Sequence, residues 1–177
     1  MTPNIMLDEL REYIRGVIKD LPLKVRPRED DDDVIPETKA ADVYKMSLPE
    51  YMEGAQFRYT PYVLIQLGPT KDGRRSQHTE FSERHVRIVF SVYDESGEEG
   101  ASSLLNLIEL VKVSLAQNPI VCGKYRLTAN NRYVDREEPV EDIIETMVYT
   151  EVTWPYCMGE MAFTLDCPPI FKSKEFY

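Results

Sequence analysis

Cys157, in the stretch WPYCMG, and His85, in a stretch that alternates apolar and polar residues, are the pair a thiol nucleophile would use. The imidazole would take the thiol proton and leave a reactive thiolate. Such partners meet only in space, so their spacing along the chain neither supports nor removes them. The plain reading of a free cysteine is a small core hydrophobe. The other histidine is His78, and the other cysteines are Cys122 and Cys167. None of these sits at the short spacing of a zinc site. Residues 29–33 read EDDDD and offer hard oxygen donors, but the spaced D-x-D-x-D-G loop that wraps calcium is absent. No G-x-S-x-G or H-E-x-x-H motif occurs, and Glu137 beside Glu138 is adjacency, not an acid–base pair.

A further possibility lies in SGEEG, residues 96–100, where a strand pattern passes through a glycine turn into a helix pattern. Phosphate cradles are built this way, with bare backbone N–H groups and a lysine, as in G-x-x-x-x-G-K-[ST]. Here Glu98 and Glu99 follow Gly97. Their carboxylates would occupy the anion position themselves, so the turn reads as a helix start. Ser96 and Glu99 have capping-box spacing, and acidic residues in the first turn suit the helix dipole. The residues thus predict no metal, no cofactor and no catalytic centre. A small enzyme using Cys157 with His85, or a module binding a small or acidic ligand, is the rival reading.

Charge singles out a different set of residues. The 177-residue chain has a formal net charge of -10, which opposes a main role in gripping nucleic acid. Against that background Lys71, Arg74 and Arg75 form a basic loop tip, within residues 69–80. With the acidic residues Asp30, Asp31, Asp32 and Asp33, they are the candidate contacts to another subunit or partner.

These residues need a scaffold, and the pattern predicts one. Thr2 and Pro3 are a good helix start. Ile5, Met6, Leu10, Tyr13, Ile14, Val17 and Ile18 fall on one stripe, predicting a helix over residues 3–19. Residues 21–56 carry recurrent prolines and the acidic run, predicting an extended arm or loop. From residue 57 a sheet-and-helix core is expected. YTPYVLIQLG reads as a strand covered on both faces. Residues 83–93 alternate, with Val86, Ile88, Phe90 and Val92 on one side, and the two strands make an antiparallel hairpin around a polar loop. A helix over residues 97–117 follows, with Leu104, Leu105, Ile108, Val111 and Leu115 on its apolar face, widened by Leu107 and Leu110. It is expected to lie across the sheet as a central core helix.

Tyr125 and Leu127 mark a short strand, and residues 130–131 a turn. Residues 137–150 are ambiguous: Val140, Ile143, Ile144 and Met147 fit a short helix, while residues 147–153 could continue as a strand. Met161, Phe163, Leu165 and Cys167 alternate along a last strand that Pro168 ends, and Trp154, Pro155 and Tyr156 are expected to pack in the core at its entrance. The fold class is α+β: an antiparallel or mixed sheet on a long central helix, with an N-terminal helix and an acidic arm, in one domain. With 42% hydrophobic residues the chain can build a core. Three cysteines without metal spacing predict a reduced, intracellular protein. The charged N-terminus predicts neither a signal peptide nor a membrane span.

Several of these stretches together resemble a known family. A strand ending VYDES, a glycine turn, the helix ASSLLNLIELVKVSLAQNP and the segment WPYCMGEMAFTLDCPPI are similar to those of tail-terminator (tail-completion) proteins of tailed bacteriophages and prophages. The likeness spans about residues 59–170 and rests on packing motifs. It implies a virion tail protein, made in the bacterial cytoplasm, that assembles as a ring, commonly a hexamer. That ring caps the tail tube and offers a surface to the head–tail connector, while DNA passes through its lumen. The family defines no catalytic residues. A head-closure or other neck component of similar fold is the nearest alternative.

Overall fold

The computed structural model describes residues 2–27, 37–49, 59–76, 79–128, 144–149 and 154–168. Helix α1 (Pro3–Ile18) begins where the sequence says, with Pro3 in its first turn, but Thr2 caps it through its carbonyl and not its side chain. Its buried residues are Met6, Leu7, Leu10, Ile14 and Ile18. The predicted stripe is therefore rotated: Leu7 is inside and Ile5 is exposed. The rotation follows from what α1 must cover, since it packs against both a strand and the second helix. Tyr13, on its flank, donates its hydroxyl to the Ser114 carbonyl at 3.1 Å.

The expected arm is in part strand. β1 (Leu23–Lys24) pairs antiparallel with β2 (Thr38–Lys39), and β3 (Asp42–Lys45) lies parallel to the start of β4 (Tyr62–Ser76) at one edge of the main sheet. Sparse apolar residues decide this, because Leu23, Ala41 and Val43 are buried in the core and pull their backbone with them. Asp30, Asp31, Asp32 and Asp33 lie outside the described residues.

β4 (Tyr62–Ser76) and β5 (Thr79–Tyr93) form the expected hairpin, but the predicted polar loop is mostly ladder. Backbone pairing needs no apolar side chains. Residues of opposite charge also share register positions, Lys71 with Glu83 and Arg74 with Glu80. Helix α2 (Gly97–Gln117) has the predicted ends. Leu104, Leu107, Ile108, Val111 and Leu115 are buried, whereas Leu105 and Leu110 are exposed. A helix resting on a sheet buries one stripe, and those two leucines lie off it.

β6 (Ile120–Val121), β7 (Tyr125–Thr128), β8 (Ile144–Tyr149) and β9 (Tyr156–Asp166) are the remaining elements among the described residues. Residues 144–149 are thus strand, so Ile144 and Met147 do not belong to the short helix their spacing suggested, because pairing with β9 sets their backbone. The seven-stranded mixed sheet among the described residues runs β3-β4-β5-β9-β7-β6, with β8 also on β9. β9 pairs with β5 along its whole length; on its other side β7 meets residues 164–166 and β8 meets residues 158–163. Val86, Ile88, Phe90 and Val92 join Met161, Phe163 and Leu165 under the two helices. On the opposite face Tyr62, Leu64 and Val89 make a smaller cluster with Tyr44, Leu48, Tyr59 and Met158. β4 is thus covered on both faces at its start, as its continuous apolar run requires. The architecture of the described residues is α+β, with two helices and a mixed sheet.

Candidate functional site

The fold separates the thiol–imidazole pair. Cys157 is opposite Val92 and His85 is opposite Thr164, seven residues apart along β5. At about 3.3 Å per residue that is roughly 23 Å. The two also point to opposite faces. Cys157 shares the face of Val92 and packs at the helix side, where a Cβ on Gly100 would come within 3.0 Å of its sulfur. His85 faces the other way, its Nδ1 3.3 Å from the Thr164 hydroxyl. Burial, and then the nearby Asp94 charge, pushes the Cys157 thiol up, away from the reactive thiolate. Among the described residues no three His, Cys, Asp or Glu side chains are grouped to hold a metal ion, and His78 lies outside those residues.

At the start of α2, Ser96 does cap the helix, its Oγ accepting the Glu99 amide at 3.4 Å. The reciprocal half of the box is made by another residue: the Ser96 amide donates to Asp94 at 2.9 Å. Glu99 instead receives Lys24 at 2.9 Å, and the same ammonium lies 2.9 Å from Asp94. Hydrogen bonds to Asp94 and Glu99 push Lys24 up to about 12. An open groove of about 730 Å³ borders this cluster, but its lysine is committed to two carboxylates. Lys24 itself was missed, because its partner Asp94 is 70 residues away.

The basic residues stand on a projecting ladder instead of a loop tip. β9 accompanies β5 only as far as Glu83, opposite Asp166; one further bond runs from the Cys167 amide to the Ser82 carbonyl at 2.7 Å. Residues 72–76 and 79–82 continue the β4–β5 ladder past that point. Lys71 is exposed at the root of this extension, and Arg74 and Arg75 are in its β4 strand, their side chains outside what the structure describes. Arg84, 5% exposed, fastens the root. Its guanidinium is 2.9 Å from Asp72, which also accepts the Ser82 hydroxyl at 2.7 Å. The bond from Arg84, then that from Ser82, holds the Asp72 carboxyl below its usual range.

At the other edge of the sheet, α2 and β8 bound an apolar groove of about 300 Å³. Leu105, Met147 and Val148 line it, and they are 54%, 52% and 41% exposed. Glu109 lies at its rim and the exposed Glu145 is in the same strand. Gly159 makes the groove possible: a Cβ there would sit 2.8 Å from the Met147 carbonyl oxygen and 3.0 Å from Ile108 Cδ1. The sequence signalled Leu105 only as part of a helix face, and strand in β8 only as an alternative from Met147 onward.

Trp154 is 65% exposed, contrary to the core packing expected of it; its indole donates to the Glu95 carbonyl at 3.1 Å. Tyr156 does pack, against Tyr93 with ring centroids 5.7 Å apart. On the outer face of the sheet Arg87 reaches Glu160 at 2.6 Å, Tyr149 at 2.8 Å and Gln66 at 3.2 Å. No model of a known protein family matches the chain, and no curated protein is significantly similar to it in sequence.

Proposed function

We propose that this chain is a structural component of a phage or prophage tail, which assembles as a ring, caps the tail tube and joins it to the head connector. Its mechanism is recognition between surfaces, not catalysis. The arrangement implied by the family, a long central helix and an acidic arm around the mixed sheet, belongs to this proposal. The observation that carries it is the projecting end of the β4–β5 hairpin. The β5–β9 register ends at Glu83, the β4–β5 ladder continues past it, and it holds Lys71, Arg74 and Arg75 on a chain of net charge -10. An extension of that kind, fastened at its root, is suited to contact a neighbour. The sequence resemblance over residues 59–170 supplies the kind of neighbour.

The test is a tube-length assay. The purified chain is added to tail-tube protein encoded in the same genome while the tube polymerises. Tubes should stop shorter, with a ring at one end in negative-stain images. Unchanged tube lengths and bare ends would refute the terminator reading. Binding to the connector without any effect on tubes would favour a head-closure role instead.

A further inference from the structure

We propose that the exposed face of Trp154, with the Glu95 carboxylate beside it, is a docking site for an arginine-bearing segment of a basic partner protein. Such a site does not depend on assembly into a ring.

Trp154 is the most exposed large hydrophobic side chain among the described residues, at 65%. The indole is nevertheless fixed. Its Nε1–H donates to the Glu95 carbonyl at 3.1 Å, and the Asp94 amide donates to the carbonyl of the next residue, Pro155, at 3.0 Å. Tyr156 then stands opposite Tyr93 in the β5–β9 register, with the rings 5.7 Å apart. The turn that carries Trp154 is thus tied to the end of β5. A ring held in place before its partner arrives loses little freedom on binding, and tryptophan is enriched among the side chains that dominate interfaces.

Charge identifies the occupant. The Glu95 Oε1 accepts the Tyr93 hydroxyl at 2.9 Å, and a carboxylate has further lone pairs to offer. Glu98 and Glu99, both exposed, follow at the start of α2. With the buried Asp94, four carboxylates fall within residues 94–99. Against them stand Lys24, which binds Asp94 and Glu99, and Arg26, whose charge acts on Tyr93. The surface around the indole therefore keeps an excess of negative charge.

An electron-rich ring face beside a carboxylate attracts a cation. A guanidinium suits it better than an ammonium, because it is planar and weakly hydrated: it stacks on the ring while its N–H groups reach the carboxylate. The excess of carboxylates repels a phosphate or an acidic segment. It also disfavours a second copy, since two chains of net charge -10 repel each other, whereas a basic partner is drawn in by the same field.

Trp154 is the single tryptophan of the chain, so its fluorescence reads the site directly. The full chain is titrated at low salt with a five-residue peptide of alternating glycine and arginine, and with the same peptide carrying lysine or neutral citrulline instead. The arginine peptide should change the emission saturably, with a Kd below about 1 mM. The lysine peptide should bind more weakly, and the citrulline peptide should leave the emission unchanged. Variants are compared by the anisotropy of a fluorescein-labelled arginine peptide, after circular dichroism melts show them folded. Trp154→Leu should weaken binding about two- to fivefold, as an exposed cation–π contact implies. Glu95→Gln should weaken it too. Glu109→Gln removes the same charge from an exposed site further along α2 and should not. No saturable change, equal binding of the arginine and citrulline peptides, or unaltered binding by Trp154→Leu would each overturn the site. Equal losses in the Glu95 and Glu109 variants would do the same, by showing attraction to net charge alone. Emission that shifts with protein concentration alone, together with a dimer in sedimentation velocity, would give the face to a second copy and overturn the partner.

Discussion

Gly159 is where a single methyl group should tell most about this fold. It lies in β9 opposite Val148 of β8, under α2. A Cβ at this position would lie 2.8 Å from the Met147 carbonyl oxygen and 3.0 Å from Ile108 Cδ1. The nearer atom is backbone and cannot swing aside. Either β8 or α2 must shift, and overpacking of this kind costs about 1–3 kcal/mol. For a chain of this size each kcal/mol lowers Tm by about 2–4 °C, so Gly159→Ala should melt roughly 4–8 °C lower at a cost near 2 kcal/mol. The control is Gly16→Ala in α1, which would meet nothing within 4 Å. There the same methyl group should stabilise by about 0.5–1 kcal/mol through helix propensity and a less disordered unfolded chain. Thermal melts followed by circular dichroism measure both. If Gly159→Ala melted as high as wild type, with β8 amides still protected from hydrogen exchange, the close approach of α2, β8 and β9 would be refuted.

Leu10→Ala should destabilise by about 2–5 kcal/mol in urea unfolding, because Leu10 is fully buried beneath α1; no loss would mean that α1 is not docked on the body. Glu160 should contribute to acid stability. Burial pushes its carboxyl up, but hydrogen bonds from Tyr149 and Arg87 outweigh that and hold it below its ordinary 4.5. A depressed carboxylate stabilises the fold above its ordinary range, and the contribution is lost as pH falls through the folded value. Arg87→Met should therefore move the Glu160 NMR titration upward and flatten the acid dependence of stability; an unmoved titration would refute the coupling. The three cysteines should label slowly with iodoacetamide near about pH 7, since burial pushes Cys122 and Cys157 up and Cys167 up to about 11. One rapid equivalent would return Cys157 to consideration as a nucleophile.

The sequence by itself determined what is local. Ser96, Glu98 and Asn118–Pro119 set the ends of α2, because caps and proline act within a turn of themselves. Val86 through Val92 and Met161 through Leu165 declared their faces by alternation, since a strand that buries one face leaves that period in the chain. Tyr125 and Leu127 did the same over four residues.

Only the tertiary structure decided which surfaces those elements leave uncovered. Leu105 lies in an apolar pattern as good as that of Leu104, and only the width of the sheet beneath α2 left one outside. Residues 69–76 looked like loop because their side chains are polar, yet their backbone pairs with β5. A ladder of N–H and C=O groups has no signature in side-chain type. β3, Lys24 and the groove of Gly159 each depend on partners far along the chain, as does the separation of Cys157 from His85. Side-chain chemistry is written residue by residue, but distance between residues far apart in sequence exists only once the sheet has closed.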